Sequence, residues 1–329
     1  MAKAITGVDI DNCYLKMASC GAGAVGSRVV KTLPEGMMSN GHISSTDAMA
    51  DLLKETVKET GGMAKDAALV LPAQDALVRC LTMPVMSEKE LLVNLPYEFR
   101  DYISQGKDHY TFDYAMLGVN NDDEGKPESM ELLACAALKQ TIEDYEQMFY
   151  RAGMRLRIAL PHAAALQNLV NERAAGRTMC LLDLGYSATT LHFFADGKLS
   201  TVRTIEVGCQ DIDNAIAAAF SVDDFVARSY RENAFQDART RQEVQEIYEQ
   251  IAVEVGRAMN FFAFSNPDYT VDGLYLYGIG TEIAELREAI AGATSIPCEA
   301  AGTLLGMDAV DGQALACLPA IYATAGGDK

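Results

Sequence analysis

Two stretches of this chain carry carboxylates, glycine and hydroxyls at spacings that suit a phosphate and its metal. Near the start, "GVDIDNCYLK" (7–16) sets Asp9 on an apolar run, Asp11 and Asn12 in a turn, and Lys16 on the next apolar run. In the middle, "CLLDLGYSATTLHFF" (180–194) sets Asp183 on an apolar run, Gly185 and Ser187 in a turn, and Thr189 and Thr190 on the run that follows. Amides of tight turns receive phosphate oxygens. Asp9 and Asp183 would hold Mg²⁺, through water because this ion dehydrates reluctantly, and Lys16 would offset phosphate charge. "YGIG" (277–280) places Gly278 and Gly280 before a helix-forming segment. Glycines there let backbone approach a base, ribose or phosphate. Taken singly, a DxG turn or a Gly-x-Gly before a helix is an ordinary corner.

What gives the pieces weight is their order in the elements that must hold them. Each stretch reads apolar strand, Asp, branched apolar residue, short turn, apolar strand. One copy opens each half of the chain, which predicts a duplicated α/β fold with a nucleotide between facing hairpins. "SRVVKTLP" (27–34) reads as a further strand. "STDAMADLLKETVKETGG" (45–62) reads as a helix capped by Ser45 or Thr46 and stopped by Gly61 and Gly62. From Ser87 the pattern changes. "SEKE" is a capping box, and Leu91, Leu95, Phe99 and Ile103 recur every four residues on an amphipathic helix, with Pro96 expected to kink it or mark its start. Two strands follow, separated by a solvated loop "NNDDEGKPES" (120–129), then a helix stopped by Gly153. In the second half Asp196-Gly197 reads as a hairpin turn. "CQDIDNAIAAAF" (209–220) and the long segment 241–264 read as helices.

Composition narrows the function class. With 49% apolar and 22% charged residues in 329, the chain is globular and large enough for two lobes. Its 46 acidic against 27 basic residues give a net charge of −19, which argues against nucleic acid or anionic lipid as direct partners. Membrane work would go through another protein. Eight scattered cysteines without a CxxC pair, and four histidines, read as buried reduced thiols rather than a zinc site. The start "MAKAITGVDI" lacks the apolar core of a signal peptide, and no window approaches a membrane span. The expected location is the cytoplasm.

The loops "DIDNCYLK" and "DLGYSATTL" resemble the first and second phosphate loops of the actin-like ATPase superfamily, and the chain more closely resembles its PilM family. "LP…VRCLTMPVMSEKELLVNLPYEFRDYI" is similar to the entry into the subdomain that PilM shares with FtsA, and "CLPAIYATAGG" to the closing helix. The resemblance spans essentially the whole chain. It implies a duplicated actin-like (ribonuclease H-like) α/β fold of two lobes. The first comprises 1–83 with 159–176 and about 310–329. A β/α subdomain is inserted at 84–158. The second lobe is 177–309, with a helical part at about 208–268. It further implies a cytoplasmic scaffold of type IV pilus assembly, recruited to the inner face of the membrane by the N-terminal tail of a PilN-like protein and linked to a PilB-like assembly ATPase. Self-association stays open. The tail would lie in a groove between the first subdomain and the inserted one, with Leu95, Tyr97, Phe99 and Tyr102 as candidate contacts.

ATP and Mg²⁺ are implied as ligands, but the loops depart from the family pattern. Asp11 stands at the first-loop glycine, a substitution the turn survives if aspartate takes up left-handed backbone there. Cys13 and Tyr14 replace small residues, Gly208-Cys209 replaces a Gly-Gly pair, and Gly278-Ile279-Gly280 replaces a glycine triplet. These changes predict structural or weak ATP binding, with no residue standing out as a water-activating base. The alternative is an active actin-like ATPase that polymerises or switches like FtsA, since Asp9, Lys16, Asp183 and Thr189 are all present. A sugar kinase on this fold fits poorly, because no further catalytic carboxylate stands out.

Overall fold

The computed structural model describes residues 4–21, 24–39, 41–294, 296–305 and 311–327. The expected lobe limits at residue 1, about 310 and 329 lie outside these. The chain forms two compact units, Met1–Leu169 with Pro319–Lys329, and Val170–Leu318.

In the first unit, β1 (Ile5–Ile10), β2 (Tyr14–Gly21) and β3 (Ala24–Thr32) form an antiparallel meander. After a small β4 (Met38–Ser39) and β5 (His42–Ile43) pair comes α1 (Thr46–Thr60), and then β6 (Asp66–Leu71). Ser45 caps α1 by accepting from the Ala48 amide at 3.3 Å, and Gly61 ends it at φ 65°. β6 runs parallel to β1, and β10 (Arg155–Pro161) parallel to β6, so the sheet order is β10-β6-β1-β2-β3. Val8, Leu15, Met17 and Leu69 face α1 and α3 (Lys139–Arg151), with Met49, Leu53, Met148 and Phe149 completing a buried core. Ala68 and Val70 instead meet Ala165 of α4 (His162–Arg173) and Ala323 of α10 (Leu318–Ala323).

A separate antiparallel sheet in this unit has the order β7-β9-β8, from β7 (Leu77–Pro84), β8 (Tyr110–Asn121) and β9 (Pro127–Leu138). Strand 77–84 thus pairs with the segment 84–158, whereas α3 and β10 of that segment pack with the first sheet. The small sheet is covered by α2 (Glu88–Glu98). Its capping box forms as the sequence predicts, the Ser87 amide donating to Glu90 at 2.9 Å and the Glu90 amide to Ser87 Oγ at 3.4 Å. Pro96 neither starts nor interrupts the helix. It sits in the last turn, two residues before the end. The loop expected over 120–129 contracts to a hairpin turn, because Asp122 Oδ1 accepts from the Glu124 and Lys126 amides and Gly125 takes φ 78°.

The second unit repeats the first sheet's plan. β11 (Met179–Leu184), β12 (Thr189–Ala195) and β13 (Lys198–Ile205) form the meander, turning at Asp196 and Gly197 with φ 51° and 75°. α5 (Cys209–Phe220), α6 (Asp224–Glu232) and α7 (Gln242–Ser265) follow, then β14 (Leu274–Tyr277), α8 (Ala284–Ala293) and β15 (Cys298–Ala300). The sheet order is β13-β12-β11-β14-β15, the same meander-plus-two-parallel-strands order as in the first unit. α7 packs on β12 through Phe262 stacked against Phe193 at 4.4 Å, with Val244, Ile251 and Val255 buried on the same stripe. A short α9 (Gly312–Ala316) closes the unit.

Candidate functional site

The two hairpins are built alike, residue for residue. Asp9 is the fifth residue of β1 and pairs with Lys16. Asp183 is the fifth residue of β11 and pairs with Thr190. Four residues span each turn, between Ile10 and Leu15 in one and between Leu184 and Thr189 in the other. Asp11 therefore holds the place of Gly185, Cys13 that of Ser187, and Lys16 that of Thr190. The same backbone bond closes each turn, Asp11 N–H to Tyr14 O at 3.0 Å and Gly185 N–H to Ala188 O at 3.1 Å.

The polar groups of the first turn are joined to one another. Asp11 Oδ1 accepts from the Cys13 amide at 2.8 Å and the Tyr14 amide at 2.7 Å. Its other oxygen, Oδ2, takes the Lys16 ammonium at 2.8 Å, and Lys16 also donates to Asp9 Oδ2 at 3.2 Å. Lys16 and Asp9 are buried, and Asn12 is exposed at the tip. His162 belongs to this cluster: burial and then the Lys16 charge push its imidazole down to about 3. Asp11 is not among the described residues with positive φ. The turn survives the loss of glycine because the aspartate side chain braces it, not through left-handed backbone.

The second unit brings Asp183, the 185–188 turn, Gly208 and Gly278-Gly280 together. α5 begins against the turn, with the Cys209 and Gln210 amides donating to Gly185 O at 3.1 Å and Tyr186 O at 2.8 Å. The Gly208 amide goes to Asp211 Oδ2 at 2.9 Å. A Cβ on Gly208 would stand 2.4 Å from Tyr186 O, so glycine is required for helix and turn to meet. Gly278, at φ 90°, lies over Asp183, where a Cβ would stand 2.3 Å from Oδ1. Gly280 packs on Leu184 and Cys209. The Thr189 hydroxyl donates to Val207 O at 2.9 Å.

A network that sequence reading missed runs outward from this turn. Tyr186 OH accepts from Arg228 at 3.0 Å. Arg228 Nε lies 3.7 Å from Asp213, whose carboxylate also holds Arg231 Nε at 2.6 Å. Asp213 and Arg231 are both buried, on α5 and α6. An aspartate inside an apolar helix stripe, eighteen residues before an arginine, was the available signal.

With this geometry in hand, comparison with known proteins assigns the chain. The family profile for the type IV pilus assembly protein PilM matches residues 7–327. The chain belongs to the PilM family. A solved structure described as the PilM-PilN type IV pilus biogenesis complex shares 19% identity over 99% of each chain, with a TM-score of 0.81. The ethanolamine utilization protein EutJ from Carboxydothermus hydrogenoformans matches at 11% identity over 98% of this chain and 90% of its own, TM-score 0.62. Ta0583, an archaeal actin homologue in complex with ADP, matches at 12% over 97% of each, TM-score 0.51. These place the PilM-family chain in the actin-like α/β fold. No curated protein matches the sequence.

The actin-like fold implies a nucleotide, and the residues present do not fit its phosphates. In the first turn the Cys13 and Tyr14 amides and the Lys16 ammonium already serve Asp11. At the start of α5 three amides that would meet an anion serve Asp211 and the turn carbonyls. The glycines at 208 and 278 are explained by close packing within the unit.

Of the partner-groove candidates, Leu95 and Phe99 are fully buried in the core of the small sheet, with Leu81, Leu132 and Met130. Tyr97 and Tyr102 are exposed at 57% and 56%. A cation covers each ring: Lys107 Nζ lies 4.6 Å above Tyr97, and the Arg79 guanidinium 4.3 Å above Tyr102.

Proposed function

We propose that this PilM-family chain is an adaptor of type IV pilus assembly that holds the N-terminal tail of a PilN-like inner-membrane protein. Through that tail it sits at the cytoplasmic face of the membrane and links the membrane complex to a PilB-like assembly ATPase. The observation that carries this reading is the family match along residues 7–327. The backbone likeness to a chain of a PilM-PilN type IV pilus biogenesis complex, over 99% of each chain, supports it. Among the described residues no helix is long and apolar enough to cross a membrane, which fits recruitment through a partner. Any ATP with Mg²⁺ is held weakly on this reading, because the donors of the first turn already serve Asp11.

The tail's contact surface includes Tyr97 and Tyr102 with their covering Lys107 and Arg79, and exposed Val93 one helical turn before Tyr97 on α2. Such a surface offers aromatic faces, apolar area and positive charge in one place, a combination common at recognition hot spots. Calorimetric titration of a PilN-like N-terminal peptide tests the reading. Saturable binding, weakened about tenfold or more by Tyr97→Ala with Tyr102→Ala, is the expected outcome for losing two aromatic contacts. Absence of binding at high micromolar peptide contradicts it. The second reading, a filament-forming ATPase, rests on the retained Asp9, Lys16 and Asp183, and the self-bonded first turn disfavours it.

A further inference from the structure

We infer that Asp11 is an internal stand-in for a phosphate and is the residue that decides how well this chain accepts a nucleotide. Three donors converge on its carboxylate: the Cys13 and Tyr14 amides on Oδ1, and the Lys16 ammonium on Oδ2. Turn amides plus one lysine are the donor set by which loops of this kind hold a phosphate. Here the chain supplies the anion itself.

The second hairpin is the internal control. Gly185 stands at the matching position, closes the same backbone bond, and brings no carboxylate. The turn geometry therefore does not require an acid at this position. What the acid adds is occupancy of the donors and charge. Lys16 faces two carboxylates, Asp9 and Asp11, so the ion cluster of these three carries one excess negative charge. An arriving phosphate would have to displace Asp11 from its donors and then lie beside it. Removing Asp11 takes away the excess charge and the carboxylate that holds the Cys13 and Tyr14 amides. The inference concerns the nucleotide loop and does not depend on the adaptor reading.

The test titrates Mg-ATP into the full chain by calorimetry, with native protein, Asp11→Gly and Asp11→Asn side by side. Glycine restores the residue of the second turn. Asparagine keeps an oxygen for the Cys13 and Tyr14 amides but surrenders the charge and the grip on Lys16. Asp11→Gly is expected to bind Mg-ATP about 10-fold to 1,000-fold more tightly than native, the range set by removing one close like charge at intermediate dielectric. Asp11→Asn should fall between the two. Native protein binding Mg-ATP in the low micromolar range, or neither variant binding more tightly than native, overturns the inference. Should Asp11→Gly fail to fold, Asp11→Asn, which keeps the turn bonds, decides the question. Binding of the PilN-like peptide, measured on the same samples, is expected to be unchanged in both variants. That readout separates a failure of the adaptor reading from a failure of this one.

Discussion

Asp9 and Lys16 face each other across the first hairpin because β1 and β2 pair in the register that puts apolar Val8, Leu15 and Met17 into the core. That register was legible, since alternation along a strand fixes which side chains meet. What Asp11 does with its carboxylate was not legible, because capture of an amide two or three residues on depends on local backbone geometry rather than on pattern. The same holds for His162. It is far away in sequence, and only the parallel β10-β6-β1 arrangement and the start of α4 bring it near Lys16. Its titration yields a prediction. An unfolded histidine binds its proton near 6.5, whereas in the fold it does so only near 3. The unfolded state therefore binds more protons in this window, and stability falls as pH drops from about 6.5 toward 3. Denaturant unfolding at pH 7 and pH 4 should show a loss on the order of 2 kcal/mol from this group, less than the full linkage because the ring is not wholly enclosed. In His162→Gln the loss should shrink by that amount. An unchanged pH slope would show that His162 does not titrate as described.

Helix α2 shows how far an apolar stripe can be read. Leu91, Leu95 and Phe99 repeat every four residues and fill the core of the small sheet, as the helical period requires. The same period turns Tyr97 to solvent, with Tyr102 exposed just past the helix, so the positions out of phase were the informative ones. The boundaries of the small sheet were harder to see. β7 ends in a proline and reads as a strand of the first lobe, but its ladder from Leu77 to Pro84 is with β9. Contact between α5 and α6 was not legible at all. Asp213 and Arg231 bridge them, buried, at 2.6 Å. Removing one partner of a buried pair strands the other charge, so Asp213→Ala should destabilise the protein by about 3–5 kcal/mol. Replacing both with apolar residues of similar size should cost much less. Thermal unfolding of the single and double variants checks this, and equal losses in both would show that packing rather than charge governs the site.

At the scale of the chain, duplication was the most legible feature. The Asp-containing hairpins, read as twins in sequence, open two five-stranded sheets of the same strand order. Gross topology survives because it rests on many apolar positions, whereas a phosphate site rests on a few donors that single substitutions redirect. The same contrast explains why family membership holds along residues 7–327 while the first turn is closed by its own aspartate. On the proposed adaptor reading, the actin-like frame serves as a platform for a partner. Titration of a PilN-like N-terminal peptide onto nucleotide-free protein, repeated with saturating Mg-ATP, tests that claim most directly. The account predicts saturable binding of one peptide per chain with the same affinity in both conditions. Peptide binding that appears only when Mg-ATP is present, or no binding in either condition, would contradict it.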